Sequence, residues 1–575
     1  MTQSHHFPYG HVLGGRTIYR PRPFGARAVM LDTLTLENAL QAHDFYREHP
    51  PLGLVELVPA ARTLLLRFAS WEASARFLVD PPLPQVSGEV RSHGRTVRIP
   101  VLYDGQDLAP LAESLGMSEQ AIVYAHTTGH WSVAFAGFAP GFFYLHRHDN
   151  VLDAPRHASP RTSVPAGSVG LAGDFSGIYP RTSPGGWQLI GRTTLPLWDL
   201  GQDPPALLQP GMQVQFEAVR EVIDLPARPE PAPAPPVGSG LAPCLRVVSP
   251  GLLTLFQDVG RQNLASWGLS PSGAADPAAA GEANRLVGNS AGATVLESLA
   301  SGLVLEATED CVLALTGAEV EARISSPALA EAEDSEAEGA TPPDLAVTSY
   351  RPFAVKMGQR LTLGRVERGL RAYLALRGGF AAPDQAQSSS RDTLAGLGPE
   401  PLAAGDLLAP AALVGRAVAQ PAEPLPLPEP NQLLSLRLLA GPRDDWFTPE
   451  SLQALTRVIW EVSEASDRIG VRLRPAQGPE GDPVEGPVLV RSQTQELPSE
   501  GMVAGAMQVP PNGEPVVFLA DHPVTGGYPV VATVHPEDLR LLAQAPPATR
   551  LGFSLSSFSD SFSFPLAKEL NDDRP

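Results

Sequence analysis

The sequence predicts a mostly β, α+β chain built as two modules, each ending in a related β-domain, with a small α/β unit in front. Three observations carry this reading. Residues 135–193 set nine glycines and six prolines among apolar residues; glycine permits φ > 0 and close backbone approach while proline fixes φ, so such a stretch specifies shaped loops anchored in a β core. VPAGSVGLAGDFSGIYPRTSPGGWQLIGRT (164–193) aligns with VPPNGEPVVFLADHPVTGGYPVVATV (509–534), and each copy is followed by a Leu-Leu pair and a strand ending in Phe216 or Phe553. A Pro/Ala-rich stretch, DLPARPEPAPAPPVGSGLAP (224–243), separates the two copies as an extended linker.

In chain order, 1–17 reads as a frayed tail and 18–95 as the small α/β subdomain. There, 37–49 is an amphipathic helix stopped by Pro50-Pro51, and LVELVPAARTLLLRF gives two strands about a short turn. The first β-domain occupies 96–223. In it, 97–103 is a strand, 107–115 a helix closed by Gly116, and Ser118 the cap of a second helix ending near His126. Trp131, Val133 and Phe135 then alternate as a strand into the glycine-rich loops, and LLQPGMQVQFEAV adds a turn and a closing strand.

The second module divides at a proline-rich joint (421–430) into 244–425 and 426–562, with a frayed tail at 563–575. Asp276 with Pro277 behind it starts an alanine-rich helix that Gly288-Asn289 ends. Segments 303–315 and 353–376 are β-rich, and the acidic low-complexity run between them (325–344) reads as a disordered loop. Thr448 caps a helix placing Leu452, Leu455 and Ile459 on one face.

Composition narrows the function. Acidic residues outnumber basic ones 62 to 42, a formal charge of −20 that opposes nucleic acid and anionic membranes. Two cysteines, Cys244 and Cys311, exclude a disulfide framework or a four-cysteine metal site, and no apolar run reaches the length of a membrane span, so the expected compartment is the cytoplasm. Lys356 and Lys568 are the only lysines and neither follows a glycine, which excludes a G-x-x-x-x-G-K-[ST] phosphate loop. Nucleotide binding would therefore fall to arginines, backbone amides or a metal. Ala354-Val355-Lys356-Met357 resembles a biotin-attachment tetrapeptide, but the lysine reads as part of an alternating strand rather than a hairpin tip, so no biotin attachment is expected.

His126 sits where a helix runs into a loop and reads either as an acid, base or phosphate donor or as a structural histidine. Asp258, Asp276, Glu297 and Asp521 adjoin glycine- or amide-rich turns and read as caps or as catalytic and metal-binding carboxylates. Arg161, Arg391 and Arg468 lie in turn-like settings that suit either an anion or a structural ion pair.

These motifs also carry a family likeness. GFAPGFFYL, PRTSVPAGSVGLAG and IYPRTSPGGWQLIGRT resemble the B subunit of 5-oxoprolinase, a family also known as sporulation-kinase inhibitor proteins and allophanate hydrolase subunit 1. GLLTLFQDVGR, PSGAADP, ANRLVGN, SRDT, GPRDDWF, SDRIGVRL, QVPPNGEPVVFLAD and TGGYPVVATV resemble the C subunit of 5-oxoprolinase, or allophanate hydrolase subunit 2. The chain departs from the usual pattern at Ser389, His522 and Pro523. The resemblance implies a fusion of two subunits with cyclophilin-like β-barrels, acting with a separate third subunit in ATP-driven opening of the lactam of 5-oxoproline to glutamate. The alternatives it carries are the carboxyltransferase component of a urea carboxylase and an inhibitor of a histidine kinase; a homo-oligomer is compatible with each.

On the oxoprolinase reading the site is expected between the two β-domains, with His126 and Tyr144 on one wall and Gln508, Thr525 and Tyr528 on the other. Gly137, Pro140, Gly141, Gly185, Gly186, Gly526 and Gly527 would bring backbone to the ligand, and Gln257, Arg261, Arg161 and Arg391 would bind substrate or nucleotide. His126, Asp258, Asp276 and Glu297 are the catalytic candidates, the three carboxylates also expected to hold Mg²⁺ on ATP.

Overall fold

Thr35 and Ser70 accept hydrogen bonds from Asn38 N and Ala73 N and so start helices Leu36–Glu48 and Trp71–Val79, which lie on a five-stranded antiparallel sheet. In this computed structural model the described residues are 11–13, 16–82, 84, 95–147, 149, 151–157, 161–202, 204–221, 241–326, 344–413, 415–429, 431–477 and 488–556. The sheet runs in the order His11–Leu13, Arg16–Pro23, Ala28–Thr33, Thr63–Phe68, Leu54–Pro59. Residues 11–13 and 16–17, expected in a frayed tail, are therefore paired strand: His11 faces Tyr19 and Val12 faces Thr17.

Two seven-stranded barrels follow. The first uses β1 (Thr96–Val101), β2 (Trp131–Ala136), β3 (Phe143–His146), β4 (Ser168–Ala172), β5 (Phe175–Ile178), β6 (Gln188–Arg192) and β7 (Gln213–Ala218), in the order β6-β4-β5-β3-β2-β7-β1, with a Leu102–Arg192 bridge joining its ends. The second uses β8 (Leu434–Ala440), β9 (Ile459–Val462), β10 (Gly470–Gln477), β11 (Ala506–Gln508), β12 (Val516–Phe518), β13 (Val530–Val534) and β14 (Arg550–Leu555), closed in the order β13-β11-β12-β10-β9-β14-β8. The orders become identical when seven is added to each label of the first. In both, the first and last strands pair parallel and the other pairings are antiparallel. A two-stranded ribbon accompanies each barrel at the same place: Arg161–Val164 with Ser183–Gly185, and Glu500–Gly501 with Thr525–Gly526.

The equivalence reaches the side chains. Trp131 Nε1 donates to His126 O (2.9 Å) and Trp460 Nε1 to Leu455 O (3.1 Å), five residues back in each case, at the end of the helix preceding the second strand. Asp107 N donates to Leu189 O and Arg443 N to Val530 O, two positions after Gly105 and Gly441, whose missing Cβ atoms admit β6 and β13. Arg161 stands opposite Gly185 in the first ribbon and Glu500 opposite Gly526 in the second. Each barrel thus ties ribbon to wall with one ion pair, Asp107–Arg161 (2.6 Å) and Arg443–Glu500, but with the charges exchanged.

Between the barrels, residues 245–408 form a nine-stranded sheet dominated by the long pair Cys311–Ser325 and Arg360–Leu376, against which helix Pro277–Leu286 packs. Asp276 caps that helix through Ala279 N, as the sequence indicates. Helix Pro449–Arg457 is capped by Thr448, but Ile459, expected on its face, belongs to β9. Lys356 is likewise displaced from expectation: it follows strand Pro352–Val355 in the turn before Arg360, closed by Gln359 N to Lys356 O, with 66% of its side chain exposed and bonded to Asp310 (2.8 Å). The linker and acidic run predicted at 224–243 and 325–344 lie almost wholly outside the described residues.

The modules share core. One buried cluster unites Phe24, Ala28, Met30, Val58 and Leu65 with Ala265, Met502, Ala506, Phe518, Val524 and Val530. Among the described residues no helix is long and apolar enough to cross a membrane.

Candidate functional site

The glycine-rich loop 137–141 enters the seam between the modules. Phe138 (φ 65°) and Gly141 (φ 76°) turn it in the left-handed region. Its first glycine lies so close to the second barrel that a Cβ on Gly137 would stand 2.0 Å from Thr525 Oγ1. At its far end Gly141 N donates to Trp267 O (3.3 Å), and the Ala139-Pro140 backbone covers Gly268. Beside it Tyr144 OH meets Ser499 Oγ at 3.2 Å, and Ala61 N donates to Ser499 O. The structure therefore brings Gly137, Pro140, Gly141 and Tyr144 together with Thr525 from the opposite module.

Around this contact lies a polar rim. Gly185 passes so near Tyr179 that a Cβ would sit 2.2 Å from its hydroxyl, and Gly186 O accepts His157 N. Burial pushes the Tyr179 phenol up to about 12, so it stays protonated and able to donate at neutral pH. Arg156 pairs with Glu496 (3.0 Å) across the seam beside Gly527. Tyr528 is partly exposed under the Arg491 guanidinium (5.5 Å). Gln508 is buried, its amide 3.7 Å from Met502 Sδ and packed on Gly526.

His126 does not stand on this wall. It lies in the first barrel with Nδ1 2.7 Å from Tyr103 OH and Nε2 2.9 Å from Ser176 Oγ, its ring stacked on Phe216. Burial, and then the charge of Arg147, push its pKa down to about 3, which keeps it neutral. Both ring nitrogens are engaged and the residue is wholly buried, so it has no route to a substrate proton. Its counterpart in the second barrel is Leu455, a core residue.

The carboxylates expected to be catalytic are built into internal networks. Asp258 accepts from Gly260 N, Ser388 Oγ, Ser389 N and Ser390 Oγ at 2.5–2.8 Å, closing a turn. Glu297 accepts from Arg468 Nη1 (2.5 Å), Tyr373 OH and Ala275 N. Asp276, besides capping its helix, accepts from Gln544 and Arg540. Arg468 also holds Asp521 through two 3.0 Å bonds, while Ser272 Oγ and Thr393 Oγ1 add one each at 2.7 Å. Among the described residues no group of three His, Cys, Asp or Glu side chains is arranged to hold a metal ion. The expected Mg²⁺ set does not fit this geometry, because its three carboxylates already hold backbone amides, hydroxyls and guanidinium groups. Arg161 and Arg391 are likewise paired, with Asp107 (2.6 Å) and Glu400 (2.7 Å).

Sequence reading missed Asp107, Ser499, Arg443 and Glu500. Arg443, 8% exposed, joins Glu500 to Asp32, which also pairs with Arg22. The usable signal was the repeated offset of two from Gly105 and from Gly441.

The comparisons with known proteins follow the same division. The family model described as carboxyltransferase domain, subdomain C and D, matches residues 19–208, and that of subdomain A and B matches 267–555. The chain is 34% identical over 323 residues to the 5-oxoprolinase C subunit of Escherichia coli (strain K12), a match that covers 55% of this chain and 93% of that protein. It is 36% identical over 193 residues to the 5-oxoprolinase B subunit of Bacillus subtilis (strain 168), covering 31% and 80%. The crystal structure of TTHA0988 superimposes with a TM-score of 0.75 at 35% identity, over 92% of this chain and 99% of that one.

Proposed function

The chain belongs to the carboxyltransferase-domain family, with subdomains C and D followed by A and B in one polypeptide, and from that premise we propose that it is a component of an ATP-dependent 5-oxoprolinase that works with a separate third subunit in the cytoplasm. One observation carries the reading: relatives named as the B and C subunits of one enzyme, 5-oxoprolinase, match 31% and 55% of this chain, covering 80% and 93% of their own lengths. The geometry agrees with it, since the two modules meet through loop 137–141 and a shared buried cluster rather than through a linker alone.

A lactam is a weak electrophile because amide resonance lowers carbonyl reactivity, and coupling to ATP supplies the missing driving force. In this proposal the chain binds and orients the cyclic amide, and water is excluded where the modules close on each other. No step is routed through a metal, because Asp258, Asp276 and Glu297 are engaged elsewhere, and ATP is consumed by the assembled enzyme. The test is ATP consumption by the purified chain plus a candidate third subunit, with and without 5-oxoproline. Lactam-dependent ATP hydrolysis with release of glutamate supports the proposal; its absence with a folded, associated pair of chains overturns it.

A further inference from the structure

At the end of strand Leu253–Gln257 two buried side chains are anchored on consecutive carbonyls. Gln257 Nε2 donates to Arg391 O (2.9 Å) and Arg261 Nη2 to Ser390 O (2.8 Å). Arg261 is held further by Nε to Gln385 O (3.2 Å). One polar atom on each head is left over: among the described residues the acceptor Gln257 Oε1 and the donor Arg261 Nη1 have no hydrogen-bond partner, although the residues are 0% and 1% exposed. Unpaired buried polar groups are expensive, and a guanidinium more so than an amide, so such a pair needs an occupant.

The surrounding backbone is held in the sparsely populated left-handed region at Asn263 (φ 61°), Ser272 (φ 56°), Ala386 (φ 54°) and Gln387 (φ 67°). Such strain persists where the rest of the structure imposes it, and it gathers at ligand clamps. Two of these turns reach the pair: Gln385, next to Ala386, accepts from Arg261 Nε, and Ser272 Oγ donates to Arg391 O (3.5 Å), the carbonyl that also holds Gln257.

We infer that Gln257 and Arg261 form the receptor for the amide group of a small cyclic amide, the carbonyl accepting from Arg261 Nη1 and the N–H donating to Gln257 Oε1. Resting on the oxoprolinase reading, this places the lactam of the substrate in the second module. A lactam holds its C=O and N–H on the same edge, because the ring forces the amide cis, and so offers an acceptor and a donor side by side. A carboxylate would satisfy the arginine but would confront Gln257 Oε1 with a second acceptor.

The test uses the full chain with 2-pyrrolidinone, the simplest five-membered lactam, and with 5-oxoproline. Calorimetry should show binding of 2-pyrrolidinone that falls at least tenfold in Gln257→Met and in Arg261→Lys, in variants whose melting temperatures confirm folding. Wild-type crystals soaked with 2-pyrrolidinone need no variant, and should show the ring between the two heads. Ordered water alone at that place in the soaked crystals, or binding unchanged in both variants, overturns the inference. The two readings fail separately. Lactam-driven ATP hydrolysis with an unmoved KM in Gln257→Met removes the receptor and leaves the activity; 2-pyrrolidinone bound at Gln257 without such hydrolysis upholds the receptor and removes the activity.

Discussion

Gly137→Ala probes the seam with one methyl group. The added carbon would stand 2.0 Å from Thr525 Oγ1 and 3.1 Å from Thr525 Cβ and Cγ2, whereas ordinary contact begins at 3.4 Å, so the hydroxyl must retreat by about 1.4 Å. Rotation about χ1 leaves Cβ at 3.1 Å, so part of the strain falls on backbones fixed by the Gly501–Thr525 pairing. Overpacking of this kind costs about 1–3 kcal/mol, or a fall in Tm of roughly 2–12 °C for a unit of a couple of hundred residues. Thr525→Ala removes a hydroxyl that is buried without a partner among the described residues, together with one methyl, and should cost about 1 kcal/mol. The double variant should then recover most of the loss, giving a coupling of about 1–2 kcal/mol between residues far apart in the chain. Thermal melts of the four proteins decide it. A Gly137→Ala protein within about 0.5 kcal/mol of wild type, or strictly additive variants, would refute the close approach of the modules.

Removing the guanidinium in Arg443→Met strands the buried Glu500 and leaves Asp32 with Arg22 alone, and should lower stability by about 3–5 kcal/mol in denaturant melts. His126→Leu leaves Tyr103 OH without its partner and Ser176 Oγ with only its 3.4 Å bond to Gly170 O, and should cost about 1–3 kcal/mol while leaving ATP consumption of the assembled enzyme unchanged. With folded pKa values pushed down to about 3 for His126 and about 4 for His522, the unfolded chain binds the extra protons between those values and about 6.5. Wild-type stability should therefore rise as pH rises through that window and be lost as pH falls, and His126→Leu should flatten the slope by about 1.4 kcal/mol per pH unit. Asp392, raised to about 7 by burial and then by Asp521, works in the opposite sense from about pH 4 to 7. A protease site placed in the linker should cut the chain and leave the two halves co-eluting in gel filtration; their separation would show that the shared cluster does not hold them.

Local physics was legible in the sequence. The caps at Ser118, Asp276 and Thr448 and the αL stop at Gly116 depend on a few neighbouring residues, and each is found where it was read. The repeat was legible because Gly185 and Gly526 mark ribbons where a side chain would meet Tyr179 or Gln508. Contacts between distant segments left no such trace: Asp107 with Arg161, Arg443 with Glu500 and Tyr144 with Ser499 join residues 54, 57 and 355 positions apart. His126 stayed open between two readings for a related reason. A histidine closing a helix looks the same whether its ring turns outward or inward, and its alignment with Leu455 is visible only once the barrels are superposed strand on strand.

The exchanged ion pairs bear on how such a chain avoids misfolding. Two barrels of one strand order, carried on a single polypeptide, offer each ribbon a wrong home as well as a right one, and mispairing between like units is a characteristic failure of repeated architectures. A ribbon bearing Glu500 that settled into the first barrel would meet Asp107, and one bearing Arg161 that settled into the second would meet Arg443. Like charges brought together at such a contact cost several kcal/mol where the native pairs attract. Opposite polarity at one equivalent position thus labels each ribbon with the barrel it belongs to.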